Sequence, residues 1–332
     1  MGRMNARRKI AGRAAGLLVA AAAGLLFSQE RLRLTSADRM VGETESGRPV
    51  RKLIGRVRMV QGEAFLECEE AVWWEKEDRV RLVREVRIYD GKRTLFADEV
   101  VSNAALGLEQ AIGHAKLTSC TRTLFADHIE YWSDSELAAA KGHAAAEDRR
   151  DRLRIEADEL QYDRKKDYAL ARGNPRAVRI DTSSTRHDWT VRGVKMESWG
   201  GDRRLLVTDS VAIAQGDLHA FCQSAEYRFG KDLLFLRISP RVVQPNRSMA
   251  SDSMEFRLQD TRFMGGTLAG KASIVSKDSI GREDELKGSR IFIHARGDTL
   301  DSLIVEDQAE SAFHVSDESG RGDEGVRVDF FG

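Results

Sequence analysis

Past its first 30 residues the chain alternates apolar and polar positions with a period of two. Val57 and Met59 flank Arg58, Val86 and Ile88 flank Arg87, and Ile129 and Tyr131 flank Glu130. That period belongs to a half-buried β-strand, whose side chains point to opposite faces in turn. Gly, Asp and Asn interrupt the runs, as turns require. The alternation itself recurs in phrases: TLFADEVVS (94–102), TLFADHIEYW (123–132) and RIEADELQYD (154–163). Before them run GRVRMVQG (55–62), EVRIYDG (85–91), GHAKLTS (113–119) and GHAAAED (142–148). The unit is roughly 30 residues long, a spacing that signals a stacked architecture.

Each unit predicts two strands, and one such unit cannot bury its own apolar face, whereas a stack can. The predicted fold is all-β: an elongated, solenoid-like, two-sheet stacked-strand β-jellyroll. With one strand of each unit in each sheet, spaced about 4.8 Å apart, the body would be on the order of 40 Å long. Residues 135–160 are Ala-rich and favour a helix on propensity. The repeat register passes straight through them, so strands are predicted there as well.

A small residue marks the register: Cys68, Ala97, Ala126, Ala157, Val191, Cys222, Ser251 and Gly288. The next residue is often acidic, as in Glu69, Asp98, Asp127 and Asp158. Stacked like charges facing inward would repel and lose hydration, so these carboxylates belong at an edge or turn. Residues 179–189 and 277–286 are polar and aperiodic and read as loops. A partial ninth copy covers 300–315. The organisation expected is a signal peptide or short anchor over 1–28, a lead-in strand or linker over 29–52, repeats over 53–315 and a flexible tail over 316–332.

The first 28 residues carry five basic side chains and no acidic one, then an apolar run from Ala14 to Phe27. At about 14 residues this suits a signal-peptide core and falls short of the roughly 20 that span a bilayer. Export is expected, with cleavage after Ser28 or with the segment kept as an anchor. Lys plus Arg and Asp plus Glu both number 53, so a globally basic nucleic-acid surface is not expected. With 4 prolines, long hydrogen-bonded ladders are permitted. The 3 cysteines leave at least one thiol unpaired; Cys68 and Cys222 fall on the small slot and read as buried apolar-like residues.

Candidate chemistry is sparse. His114 and His143 share one slot in adjacent units and read as a stacked surface pair or a pH-sensitive one; two imidazoles do not make a metal site. Trp73, Trp74, Tyr131, Trp132, Tyr162 and Tyr227 recur near one slot and predict a column, either cross-strand packing or a lipid-contacting lip. No nucleophile elbow, zinc-protease motif or phosphate loop is present, so no enzyme, cofactor or metal is expected.

The pattern G-x-V-x-h, a turn, then L-x-A-D-x-h-x-Y, behind an export signal, resembles the OstA-like family. That family comprises periplasmic lipopolysaccharide-transport proteins of the LptA/LptC type and the N-terminal domain of the outer-membrane lipopolysaccharide-assembly protein. The matching copies are 55–73, 85–101, 113–131, 142–162 and 209–227, and 288–313 is similar to a variant closing unit. The resemblance implies a twisted jellyroll whose apolar seam shelters acyl chains while the saccharide stays in water. It implies partners as well: lipopolysaccharide or a related glycolipid, and other OstA-like or assembly proteins docked through terminal edge strands.

The expected function is to carry or bridge such a lipid through the periplasm, with a membrane tether through the N-terminus as a variant. Seam candidates are Val57, Met59, Val86, Ile88, Leu95, Leu124 and Ile129. Further along they are Tyr131, Ile155, Leu160, Tyr162, Phe221 and Tyr227. Arg152 and Arg154 are candidates for phosphate at the groove mouth. Two other classes stay open: a structural or adhesive β-solenoid with a closed core, and a glycan-processing enzyme on a β-helix. Cleavage after Ser28 is the expected outcome for the leader. Sequencing of the exported protein should then begin at Gln29, and an intact Met1 would make the segment an anchor.

Overall fold

Register slips in the middle of the strands organise the whole molecule. The structure, a computed structural model, describes residues 31–314 and 326–329 apart from 46, 150–151, 180–188, 260–261, 279 and 297–298. It holds 25 antiparallel strands joined in one hydrogen-bonded sheet, and no α-helix among the described residues. Arg48–Gln61 and Ala64–Trp74 slip register between Ile54 and Val57. The same slip falls between Val83 and Val86, between Phe96 and Glu99, between Ile112 and Ala115, and between Phe125 and His128. Shorter strands meet end to end at the same line. Tyr168–Arg172 and Arg176–Arg179 pair with successive halves of Leu153–Asp163, as Leu233–Arg237 and Arg241–Gln244 do with Leu218–Arg228.

These slips are β-bulges, in which two residues oppose one and the strand bends. The bulged pairs carry left-handed backbone: Gly55–Arg56 at φ 76° and 44°, Gly113–His114 at 73° and 45°, Gly142–His143 at 73° and 44°. Residues on both sides of the line, such as Leu53 with Val57 and Leu124 with Ile129, belong to one buried apolar cluster. A flat sheet cannot bury one face this completely without a second layer. With no helix to supply it among the described residues, the sheet covers itself by folding along the bulge line.

This corrects one expectation. The two strands of a unit do not divide between two sheets; each long strand runs through both walls, and elsewhere two short strands meeting at the bend take its place. A unit therefore advances by two strand spacings, about 9.6 Å, and the body is on the order of 80 Å long rather than 40 Å. The all-β, elongated, jellyroll-like class holds.

The Ala-Asp phrase gains a physical meaning at the bend. Its first residue faces inward: Cys68, Ala97, Ala126, Ala157, Cys222 and Ser251 are all under 10 % exposed. Its second lies outside, over the glycine of the next strand: Asp38 on Gly55, Asp98 on Gly113, Asp127 on Gly142, Asp158 on Gly173, Asp252 on Gly270. A Cβ at Gly55 would lie 2.5 Å from Asp38 Oδ2. The acidic residue's own N–H donates to that glycine's carbonyl, at 2.9 Å for Asp38, 2.9 Å for Asp158 and 2.7 Å for Asp252. Val191 is not the fifth member of the slot. It is buried, but Gly193 occupies the bend, where Val194 N–H donates to Asp209 O at 3.1 Å and a Cβ would meet Val207 at 2.5 Å. Both positions face inward, so alternation alone does not separate them.

The Ala-rich stretch is strand: Leu137–Asp148 and Leu153–Asp163. Ala138 sits in register between Tyr131 and Tyr162, so a small residue fills the space left by two large ones. Arg33–Ser36 and Arg39–Glu45, inside the expected lead-in, form a first rung on Arg48–Gln61. Inside the expected tail, Val326–Asp329 pairs with Glu310–Phe313, while the rest of 316–332 lies outside the described residues, as does the leader.

Gly113→Val should destabilise the protein by about 1–3 kcal/mol, because it combines a strained φ with a collision against Asp98. Adding Asp98→Gly should restore part of that loss. Urea denaturation checks both, and a neutral Gly113→Val would remove the bend from its central role.

Candidate functional site: the seam between the walls

Inside the fold the two walls bring most of the expected seam together. Val57, Met59, Val86, Ile88, Leu124 and Ile155 are at most 1 % exposed. Leu95, Ile129, Tyr131, Leu160 and Tyr162 are buried in the same cluster. Tyr227 is half-buried on the inner face. Phe221 is a correction: it precedes the buried Cys222, so alternation turns it outward, where it is 50 % exposed. The cluster also reaches beyond the sequence candidates, from Leu53 through Leu82, Met196 and Leu236 to Leu268 and Ile293. Ile129 and Leu160, both candidates, belong to a column three residues past the slot whose other members the sequence reading missed: Ala71, Val100, Met196, Ala225, Met254 and Ile291, all buried.

The aromatic column lies five residues past the slot, near one set of hairpin turns. Trp73, Tyr131, Tyr162, Tyr227 and Phe256 face inward there, with Ser102 and Ser198 taking the same place in two units. Trp74 and Trp132, one residue on, alternate to the other face, and Arg79 covers the Trp74 ring at 4.5 Å. Tyr162 OH donates to Asp167 Oδ1 at 3.1 Å and Tyr227 OH to Asp232 Oδ1 at 3.0 Å. Burial pushes the Tyr162 phenol up to about 12 and raises Tyr227 as well, so both remain neutral donors. This lip thus turns apolar ring bodies inward and hydroxyls toward the turns. In the strand pairing, each half-strand pairs only with its neighbours in the same wall, so among the described residues no ladder stitches one lip to the other.

The charged candidates lie outside the seam. Arg154 is half-buried on the outer face and engaged by Glu147 and, at 2.7 Å, by Glu156. Arg152 sits exposed in the turn before it with φ 52°, and it too has a partner. Neither is a free cation facing the seam. Cys68 and Cys222 are buried free thiols, raised by burial to about 12 and about 11. Cys68 Sγ donates to Glu70 O at 3.1 Å, and Ser251 Oγ makes the equivalent bond to Ser253 O at 2.8 Å. A polar atom is thereby tolerated in the small slot. No group of three metal-ligating side chains occurs among the described residues.

His114 and His143 do share one place in adjacent units, on the outside of the bend. His114 Nδ1 lies 2.8 Å from Asp98 Oδ2, and His143 Nδ1 lies 2.8 Å from Asp127 Oδ2. Each carboxylate raises its imidazole above the ordinary 6.5, first through the hydrogen bond and then through its charge. A raised folded value means that the pair stabilises the fold while the histidine is protonated. The contribution is whole below the unfolded value and fades as pH rises through the folded one. Both rings are solvent-exposed, so the effect on stability is small. NMR titration of the two imidazoles should give midpoints above 6.5. Asp98→Asn should lower the His114 midpoint and leave that of His143 nearly in place; unshifted midpoints in the native chain would contradict the pairing.

No protein-family model matches the sequence, and no curated protein matches it. Among solved structures the chain is similar to LptH from Pseudomonas aeruginosa, the LptA homologous periplasmic component of the conserved lipopolysaccharide transport device. The identity is 10 %, the TM-score is 0.20, and the match covers 41 % of this chain and 75 % of that one.

Proposed function

We propose that this protein binds an amphipathic lipid, lipopolysaccharide or a related glycolipid, and bridges it across the periplasm. The single observation that carries the reading is the seam: one apolar cluster running from Leu53 to Ile293 between two walls that are continuous only at the bend. A wall hinged on one side and unstitched on the other can part along its length. Hydrocarbon entering it gains about 25 cal/mol per Å² of apolar surface removed from water. Inward Tyr131, Tyr162 and Tyr227 give the lip an apolar body with a polar tip, the character suited to the boundary between acyl chain and headgroup. The outer strand Arg39–Glu45 pairs only with Arg48–Gln61 among the described residues, and Thr299–Glu306 only with Glu283–Arg296. Such edges accept a further strand, which supports docking to neighbouring β-proteins. No helix among the described residues is long and apolar enough to cross a membrane, and the tether in this reading is the N-terminal apolar run.

A second reading has its own support. Met59, Ile88 and Leu124 are at most 1 % exposed, the packing expected of a closed structural solenoid. The two readings part on whether the walls open. Photo-crosslinkers at Ile88, Leu124 and Ile155 should capture glycolipid in cells, while outward Glu99 and Glu130 should not. Capture at the outward positions alone, or none at any, would leave the closed solenoid standing.

A further inference from the structure

Rings and cations alternate on the outside of one wall, on the face away from the seam. Phe96 stands in register with Arg87 on one side and Lys116 on the other, and Lys116 with Phe125. Four consecutive strands thus carry Arg, Phe, Lys, Phe along one row. The Arg87 guanidinium lies 5.8 Å from the Phe96 centroid and the Lys116 ammonium 5.5 Å from that of Phe125. In the next row Phe65 pairs with Tyr89. Phe65, Tyr89 and Phe96 are 58 %, 42 % and 43 % exposed, a costly arrangement for a face that meets only water. Lys116 forms no ion pair among the described residues, so its charge is not already spent on a carboxylate. The motif returns farther along the wall, where exposed Phe221 stands in register with Arg241. In each case the ring immediately precedes the buried slot, which fixes it outward: Phe96 before Ala97, Phe125 before Ala126, Phe221 before Cys222.

We propose that this outer face is a binding track for a linear acidic polysaccharide. Phe96 and Phe125 lie two strands apart, about 9.6 Å, with a cation midway. A chain whose repeat is a disaccharide with one carboxylate places an apolar sugar face and a negative charge at a comparable interval. Rings stack on the C–H faces of the sugars, and the Lys116 ammonium pairs with a carboxylate, whereas the Arg87 guanidinium already lies 4.0 Å from Glu67. Thr94 and Thr118, in register with each other beside the ring row, offer hydroxyls to the sugar oxygens. The rings share one face of successive strands in one row, which suits an extended chain lying across the strands. The track is independent of the seam and uses none of its residues.

The test is titration of the full chain with hyaluronan oligosaccharides, which alternate neutral and carboxylate sugars, against neutral chitin oligosaccharides, heparin and phosphatidylglycerol vesicles. Hyaluronan should bind more tightly than the neutral oligomer. Phe96→Ser and Phe125→Ser should each weaken hyaluronan binding by about tenfold, and Phe96→Tyr should retain it. Lys116→Gln should lower both the affinity and its dependence on salt. Circular dichroism confirms that each variant is folded, and a misfolded serine variant is replaced by Phe96→Leu, which keeps apolar bulk without a ring. No hyaluronan binding overturns the proposal. So does equal binding by native and ring-substituted chains, which would mean attraction by charge alone, and so does binding to vesicles but not to hyaluronan. Crosslinking inside the seam should be unchanged in all of these variants, so failure of the track and failure of the seam are separable.

Discussion

The bend in the sheet is the constraint on which everything else rests. A ladder this long, with one apolar face, must cover that face, and no helix among the described residues does so. Bulges repeated at one level of successive strands let the sheet cover itself. Each bulge needs left-handed backbone at two residues, and Gly supplies the first at Gly55, Gly113, Gly142 and Gly270. The carboxylate seated over that glycine leaves no room for a side chain. Where the pair is Arg84–Glu85 or Asp209–Ser210, the same bend is made without glycine. There the neighbouring strands impose the conformation, because the register on either side is already fixed.

The bend also determines what the two faces can do. Because the long strands cross it, an inward residue before the bend and one after it meet across the same interior, and the walls share one apolar core rather than forming two independent sheets. The small slot lies at the point of closest approach. Ala, Cys, Ser and Gly are accepted there, and Gly193 and Gly288 stand where a Cβ would collide with Val207 and Val305. Farther out the walls take larger groups, up to the tyrosines and tryptophan of the lip. The outside of the bend is solvated, which is why aspartates can recur there at Asp38, Asp98, Asp127, Asp158 and Asp252 without the cost that a buried column of like charges would carry.

Much of this was legible in the chain. The period of two predicted strands, including through the Ala-rich 137–148 stretch where propensity pointed to helix, because a repeat constrains a segment more strongly than its own composition does. The Ala-Asp phrase located most slots, and the shared slot of His114 and His143 anticipated their equivalent places at the bend. Parity also located most of the seam. It failed at Phe221, where a large apolar residue was read as inward although the slot beside it fixed it outward. It failed again at Val191, because the insert of 180–188 breaks the count and both Val191 and Gly193 face the same way.

The sequence by itself determined the strands, the repeat and the residues small enough for the bend, since alternation and steric size are properties of single positions and their neighbours. Only the tertiary structure decided that the long strands run through both walls, because hydrogen-bond register is a relation between separate segments. It alone decided as well that Arg154 is engaged by Glu147 and Glu156, and that rings and cations interleave on the outer wall. Those juxtapositions are made by ladders crossing the chain, where no reading along it can see them.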